Sequence, residues 1–128
     1  MRFLLDTHIF LWLNNEPAKL SPALHLICDD PANELFISLV SLWEIQIKQQ
    51  LGKLKFDVPW QQMIEIQQKD NGLVLLPIKL QHIARLEDLP LIHHDPFDRL
   101  LIAQAIQEEM TILSADAIFC NYPITLIS

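Results

Sequence analysis

The sequence predicts an α/β domain with a central parallel β-sheet flanked by α-helices. Short apolar runs of strand length alternate with segments of helical spacing along the 128 residues. This alternation is typical of parallel strands joined by crossover helices. A chain of this length most simply forms one unit, so we expect residues 1–128 to be a single domain.

The first part of the chain predicts a strand, two helices and a second strand. A serine before a proline marks one helix start, because serine caps a helix and proline suits its first position. The predicted elements are a strand at 2–5, a helix at Thr7–Asn14, a helix from Ser21-Pro22 to about Asp29-Asp30-Pro31, and a strand at Leu35–Ile37.

A longer helix should follow, from about Leu39 to Leu51. Trp43, Ile47 and Leu51 recur at four-residue spacing and predict one apolar stripe on this helix. Gly52 stands where a helix commonly ends in a left-handed residue.

The second part of the chain continues the alternation and ends in a strand. Proline again marks two helix starts, and Asn71-Gly72 predicts a turn. The predicted elements are a helix from Pro59 to about Lys69, a strand or extended connection at Leu73–Leu76, a helix at Lys79–Leu86, a helix from Pro96 to about Glu109, a strand at Thr111–Leu113, a helical turn at Ala115–Cys120 and a strand at Ile124–Leu126.

Composition excludes several classes of protein. The net charge of −7 argues against a simple basic nucleic-acid binder, although Lys48, Lys53 and Lys55 form a small basic group that either docks a phosphate backbone or is a solvated helix end. No apolar run reaches the roughly 20 residues of a membrane span. Asp6 interrupts the first apolar run, so we expect no signal peptide.

Cys28 and Cys120 show no metal-binding or redox spacing and are expected to be free thiols. Free thiols fit the reducing cytoplasm, which is the expected location of the protein.

Four acidic residues follow predicted strands or begin predicted helices: Asp6, Glu44, Asp98 and Asp116. The carboxyl ends of parallel strands meet at one edge of a sheet, so we expect these side chains to converge there. Clustered carboxylates repel one another unless a cation lies between them. Oxygen ligands suit Mg²⁺ or Mn²⁺, which predicts a metal-dependent site for phosphodiester cleavage.

Each acid also has a structural explanation. Asp6 and Asp116 are placed to cap the helical segments that follow them. Glu44 matches a capping box with Ser41, or a surface ion pair with Lys48, although a helix starting near Ser38 would leave capping unable to explain it.

The acids around Pro96 have different expected roles. Asp95 precedes Pro96 and is expected to be the N-cap. Asp98 falls at the third helical position, where the helix dipole also favours a negative charge.

Histidines and hydroxyls near these acids offer weaker signals. His8, His93 and His94 lack the spacing of a zinc motif; we expect His8 to pack or bond within its helix, and the other two to belong to the turn before Pro96. Thr7 and Ser114 flank acids, where they either order a metal-bound water or make local hydrogen bonds.

Four segments together carry a family pattern over nearly the whole chain: Leu4–His8, Ser41–Ile45, His94–Ala105 and Ile112–Asp116. In order and spacing they resemble the PIN domain, and more narrowly the VapC-type toxins of bacterial toxin–antitoxin pairs. The block from His94 to Ala105 is the most specific of the four.

The resemblance implies the PIN fold and a Mg²⁺- or Mn²⁺-dependent endoribonuclease that forms a homodimer and is blocked by a small antitoxin. It carries the family's acidic site onto Asp6, Glu44, Asp98 and Asp116. Asp6, Asp98 and Asp116 would hold the ion, and Glu44 would either complete the ligand shell or orient the attacking water. Arg99 is a candidate phosphate contact or a surface arginine.

Two departures from the family pattern are visible. His94 stands where many relatives have arginine, which leaves the role of a charge there open because histidine is mostly neutral at pH 7. Ser114 stands where many relatives have threonine, and it keeps the hydroxyl.

Two other functions fit the sequence less well. One is a catalytically degenerate PIN scaffold that only binds RNA or a protein partner; the presence of all four acids argues against it. The other is a phosphoacceptor receiver domain, which would need paired acids after its first strand and a late lysine. Asp6 has no acidic neighbour, and no lysine follows Lys79.

Overall fold

The computed structural model describes residues 1–93 and 95–128, and a parallel sheet lies at its centre. The strands are β1 (Arg2–Leu5), β2 (Glu34–Ser38), β3 (Val74–Leu76), β4 (Thr111–Leu113) and β5 (Leu126–Ile127). Their order is β3-β2-β1-β4-β5, and each neighbouring pair is parallel. The predicted fold class is therefore confirmed, and β1 lies between β2 and β4.

Helices cover the sheet. They are α1 (Thr7–Asn15), α2 (Pro22–Asp29), α3 (Leu39–Gln50), α4 (Trp60–Asn71), α5 (Leu80–Arg85) and α6 (Pro96–Glu108), with 3₁₀ turns at Pro17–Lys19, Leu86–Asp88 and Ala117–Asn121. Within the described residues, none of these helices has the length and apolar character needed to cross a membrane.

Two predicted elements near the C-terminus differ from the structure. The segment predicted as a helical turn at Ala115–Cys120 is a 3₁₀ turn displaced toward the C-terminus, and the last strand begins at Leu126 and not at Ile124. These segments are only a few residues long, so hydrophobic pattern alone defines their limits poorly.

The central strands β1, β2 and β4 are buried on both faces, as parallel strands usually are, whereas Val74 and Leu75 of the edge strand β3 are exposed. Phe3 and Leu5 of β1 belong to one apolar cluster, whereas Leu4 between them belongs to another on the opposite face. Leu113 and Ile112 of β4 divide in the same way. This alternation follows from the two-residue period of a strand and places one core on each side of the sheet.

The prediction that an apolar stripe through Trp43 holds α3 to the core is wrong. Trp43 is 57% exposed and Leu51 is 64% exposed, while Ile47 is half-buried. The buried face of α3 carries Val40, Ser41, Leu42, Glu44 and Ile45. The helix α3 packs against α1 and α6, and its buried face includes the polar residues Ser41 and Glu44.

Ser38 links the end of β2 to the start of α3 and to α6. Its Oγ accepts a hydrogen bond from the Val40 N–H at 3.0 Å, so Ser38 caps α3 and the capping box proposed for Ser41 is not formed. The same hydroxyl donates to Gln104 Oε1 at 2.5 Å. Gln104 is fully buried on α6, and its Nε2 donates to the Pro77 carbonyl at 3.3 Å.

We expect Ser38→Ala to lower the free energy of unfolding by about 2–4 kcal/mol, because it removes a helix cap and leaves a buried amide oxygen without its donor. Ser21 is a matched control, since it caps α2 through the Leu24 N–H but is not fully buried. Ser21→Ala should cost about 1 kcal/mol. Urea unfolding of both variants measures the difference, and equal losses would contradict the role assigned to Gln104.

Candidate metal and catalytic site

The four acids predicted from the sequence line one cavity of about 240 Å³ beside the carboxyl ends of the central strands. Asp6 follows β1, Asp116 lies just beyond β4, Glu44 lies on α3 and Asp98 on the first turn of α6. The remaining lining residues are Thr7, His8, Lys48, His93, Asp95 and Phe119. Residues far apart in the chain thus face a common space.

Asp6 is buried at the start of α1 and makes two hydrogen bonds. Its Oδ1 accepts from the Ile9 N–H at 2.7 Å, so the expected helix cap is present. The Ser114 hydroxyl donates to Oδ2. Burial raises the pKa of Asp6 to about 6, although these hydrogen bonds and the nearby His8 act in the opposite direction. Capping and a place in the cavity are therefore compatible in this residue.

Glu44 is also buried, and both of its carboxylate oxygens have partners. The Thr7 hydroxyl donates to Oε1 at 2.6 Å, and the Lys48 ammonium lies 2.8 Å from Oε2. The Lys48 pair was one alternative considered for Glu44, but it borders the cavity and does not lie on an open surface. Lys48 thus neutralises a carboxylate at the site and is not simply a solvated helix end.

Asp98 is half-buried and faces His93. His93 Nε2 lies 2.8 Å from Asp98 Oδ2 and, as an N–H, donates to it. The pKa of Asp98 is raised, first by burial and then by the negative charges of Asp95 and Glu44, while the bond from His93 lowers it. Asp98 and Asp6 therefore both hold a proton more readily than an ordinary aspartate.

Asp95 caps α6, as expected from its position before Pro96. Its Oδ1 accepts from the N–H groups of Phe97 at 2.8 Å and Asp98 at 3.1 Å. Ligand atoms of His93, Asp95 and Asp98 lie within 4.8 Å of one another, close enough to share one metal ion. Sequence reasoning assigned Asp95 only to capping and missed this proximity.

His93 is the residue that sequence reasoning placed correctly but did not connect to the site. It does lie before α6, but its ring contacts Asp98 and its backbone N–H donates to the Tyr122 hydroxyl at 2.8 Å. An Asp-His pair separated by five residues across a turn has no distinctive sequence pattern. His94, whose charge role was left open, lies outside the described residues.

Asp116 is the exposed member of the four acids. Its Oδ1 accepts from the Ile118 N–H at 3.1 Å, so the expected local cap is present, and its own N–H donates to Ser114 Oγ at 3.0 Å. Ser114 therefore bonds both Asp6 and Asp116 and holds the ends of β1 and β4 together.

Arg99 has a structural role in the loop before α6. Its guanidinium donates to the Pro90 carbonyl at 2.9 Å and the His93 carbonyl at 3.4 Å. Arg99 is not among the residues that line the described cavity. These bonds hold the segment that carries His93.

The donor set fits a hard divalent cation. Carboxylate oxygens predominate around the cavity, and the pKa values of Asp6 and Asp98 are raised, first by burial and then by the charges of neighbouring carboxylates. A divalent cation placed among these groups would reverse that effect and favour their ionised forms. Oxygen-rich sites of this kind suit Mg²⁺ or Mn²⁺ better than softer metals.

Comparison with known proteins extends these observations. The family model described as PIN domain matches residues 3–124. No curated protein in the comparison matches this chain.

Several solved structures have a similar fold. The VapBC2 complex from Rickettsia felis bound to a promoter DNA fragment matches with a TM-score of 0.75 and 21% identity, covering 99% of this chain and 98% of that chain. DNA-bound VapBC from Salmonella typhimurium matches with a TM-score of 0.66 and 17% identity, covering 99% of this chain and 97% of that chain. A toxin–antitoxin complex from Klebsiella pneumoniae matches with a TM-score of 0.64 and 16% identity, covering 98% of this chain and 95% of that chain. At these identities the likeness establishes the fold.

The raised pKa of Asp6 predicts that the metal-free protein loses stability as pH rises. The pKa of about 6 in the folded state exceeds the ordinary value of 3.8, so the folded state binds the proton more tightly. The stabilisation is complete below about pH 4 and is lost as pH passes through about 6, by roughly 3 kcal/mol. Asp98 contributes in the same direction.

Urea unfolding from pH 4 to pH 7 in excess EDTA measures this dependence. Asp6→Asn is the control, because it removes the titrating group while preserving an acceptor for the Ile9 N–H. We expect the free energy of unfolding to fall much less in this variant between pH 4 and pH 7. A fall of equal size in both proteins would show that Asp6 does not cause the pH dependence.

Proposed function

This chain belongs to the PIN domain family, and on that premise we propose that it is a Mg²⁺- or Mn²⁺-dependent endoribonuclease. The observation that carries this proposal is the convergence of Asp6, Glu44, Asp98 and Asp116 on one cavity. No single helix cap or surface ion pair requires acids from four distant segments to share a space. Hydrolysis of RNA phosphodiester bonds is the reaction that this cavity would support.

Asp6, Asp98 and Asp116, with Glu44 beside them, would hold the ion through carboxylate oxygens. A bound divalent ion supplies Lewis-acid chemistry, which polarises a phosphodiester and lowers the pKa of water. Asp6 is oriented by the Ser114 hydroxyl and Asp98 by the His93 ring. Glu44 is oriented by Thr7 and neutralised by Lys48, so it is suited to hold a water in place beside the ligands.

The chain would act in the cytoplasm as the toxin of a toxin–antitoxin pair, as a homodimer held inactive by a cognate antitoxin. The fold it shares with solved toxin–antitoxin complexes supports this part of the proposal. An antitoxin would silence the enzyme by covering the acidic cavity or by placing a cationic group within it, because the cavity is rich in negative charge.

Cleavage of single-stranded RNA by the purified full chain tests the enzymatic proposal. We expect cleavage with Mg²⁺ or Mn²⁺, no cleavage in excess EDTA, and a loss of about 100-fold or more in Asp6→Asn and Asp98→Asn, because each removes a charged ligand. Glu44→Gln should also lose activity, and α3 should remain folded because Val40, Leu42 and Ile45 hold it in the core.

Asp70→Asn is a control, since Asp70 is an exposed acid on α4 outside the cavity. It should cleave RNA like the unsubstituted protein. Undiminished cleavage in EDTA, or by Asp98→Asn with normal thermal stability, would contradict metal-dependent catalysis at these carboxylates.

Expression in a bacterial host tests the toxin proposal separately. We expect the unsubstituted chain to arrest growth and to degrade cellular RNA, and Asp98→Asn to do neither at the same protein level. Growth should recover when a small reading frame neighbouring the gene is co-expressed. Growth arrest by Asp98→Asn that equals arrest by the unsubstituted chain would point to a non-enzymatic scaffold.

A further inference from the structure

We infer that a groove beside the acidic cavity is a nucleobase subsite, in which a base of single-stranded RNA next to the cleaved phosphodiester stacks on His8 and Trp12. This inference rests on the proposed ribonuclease function and adds to it a surface that binds the substrate. The carboxylates cannot bind RNA by themselves, because they carry the same sign of charge as RNA.

The groove lies beside the acidic cavity, and the two share His8 as a lining residue. It has a volume of about 430 Å³ and lies between α1 and the segment that joins α3 to α4. This volume lies within the range of roughly 300–1,000 Å³ typical of sites for small organic groups. A smaller recess of about 170 Å³, lined by Asp6, His8, Trp12, Ala115 and Asp116, shares lining residues with both the groove and the cavity. His8 lines all three spaces.

Two aromatic rings on α1 offer stacking surfaces at this junction. His8 and Trp12 lie one helical turn apart, with ring centroids 6.3 Å from each other and planes inclined at 56°. His8 is exposed, whereas Trp12 is half-buried and packs against the apolar core. Trp12 is therefore a firmly held ring with an accessible part, as a stacking platform requires. Stacking is tolerant of base identity because every base has a π face.

The charges around the groove favour a base over an isolated anion. Lys55 lines the groove, and the Lys19 ammonium lies 5.7 Å from the Trp12 ring centroid. Two acids, Glu16 and Asp57, line it as well, and Glu16 pairs with Lys19 at 2.5 Å. The groove is thus close to balanced in charge, so stacking would supply most of the affinity and Lys55 would contact the backbone.

Fluorescence anisotropy with a labelled single-stranded RNA tests the subsite. The background is Asp98→Asn, which binds substrate without cleaving it. In that background Trp12→Leu and His8→Ala should weaken RNA binding about 10-fold or more, which corresponds to loss of one stacked base. Trp12→Phe and His8→Phe should stay within about 3-fold, since they keep a ring. If Trp12 had only a structural role, RNA affinity would not differ in this way between Trp12→Leu and Trp12→Phe.

Trp43→Leu is the matched control, because Trp43 is exposed on α3 and lines none of the three spaces. It should bind RNA like the background protein. In proteins that retain Asp98, Trp12→Leu should raise KM for a long RNA while leaving kcat within about 3-fold, because the stacked base is held before and during the reaction.

RNA binding that is unchanged in Trp12→Leu and His8→Ala would overturn the subsite, as would a background protein that binds no RNA. Loss of binding to a protein partner with unchanged RNA binding would overturn it too and would assign the groove to that partner. If RNA binds in a Trp12-dependent way but is never cleaved, the catalytic proposal fails while the subsite stands.

Discussion

The arrangement of the site depends on one constraint, the burial of a carboxylate at the carboxyl end of the central strand. Asp6 follows β1, which lies between β2 and β4 and is covered by apolar side chains on both faces. Removing this carboxylate from water raises its pKa to about 6, and the hydrogen bonds from Ser114 and Ile9 only partly offset that burial. A charge held in this way is poorly satisfied by the protein alone and is well suited to a divalent cation.

The groups around Asp6 are organised so that each acid has a different environment. Glu44 is neutralised by Lys48, Asp98 receives a hydrogen bond from His93, and Asp116 is open to solvent. The hydroxyls of Thr7 and Ser114 bond acids and do not merely complete local turns. Such differences allow neighbouring carboxylates to take different roles in one reaction. On the proposed ribonuclease function, the near balance of charge around the neighbouring groove and its two aromatic rings would let a chain with a net charge of −7 bind an RNA strand.

Much of the fold followed from the sequence, and the failures have identifiable causes. The helix predicted at Leu39–Leu51 is present as Leu39–Gln50, but the apolar stripe through Trp43 is exposed and the opposite, partly polar face is buried. Four-residue spacing shows that residues share a face of a helix. It does not show which face meets the core when the buried face is itself partly polar. Short strands gave less information, so the last strand was predicted two residues too early.

Three features could be predicted from the chain alone: the alternation of strands and helices, the helix caps at Ser21 and Asp95, and the grouping of the four acids. These features depend on local spacing and on the order of motifs along the chain, which can be recognised without knowing which residues are in contact. Three other relations became visible only in the folded chain: His93 bonds Asp98, Arg99 holds a loop, and His8 and Trp12 lie beside the acids. Those relations join residues through turns and helix packing, where the direction of a side chain depends on the whole fold and leaves no periodic trace in the chain.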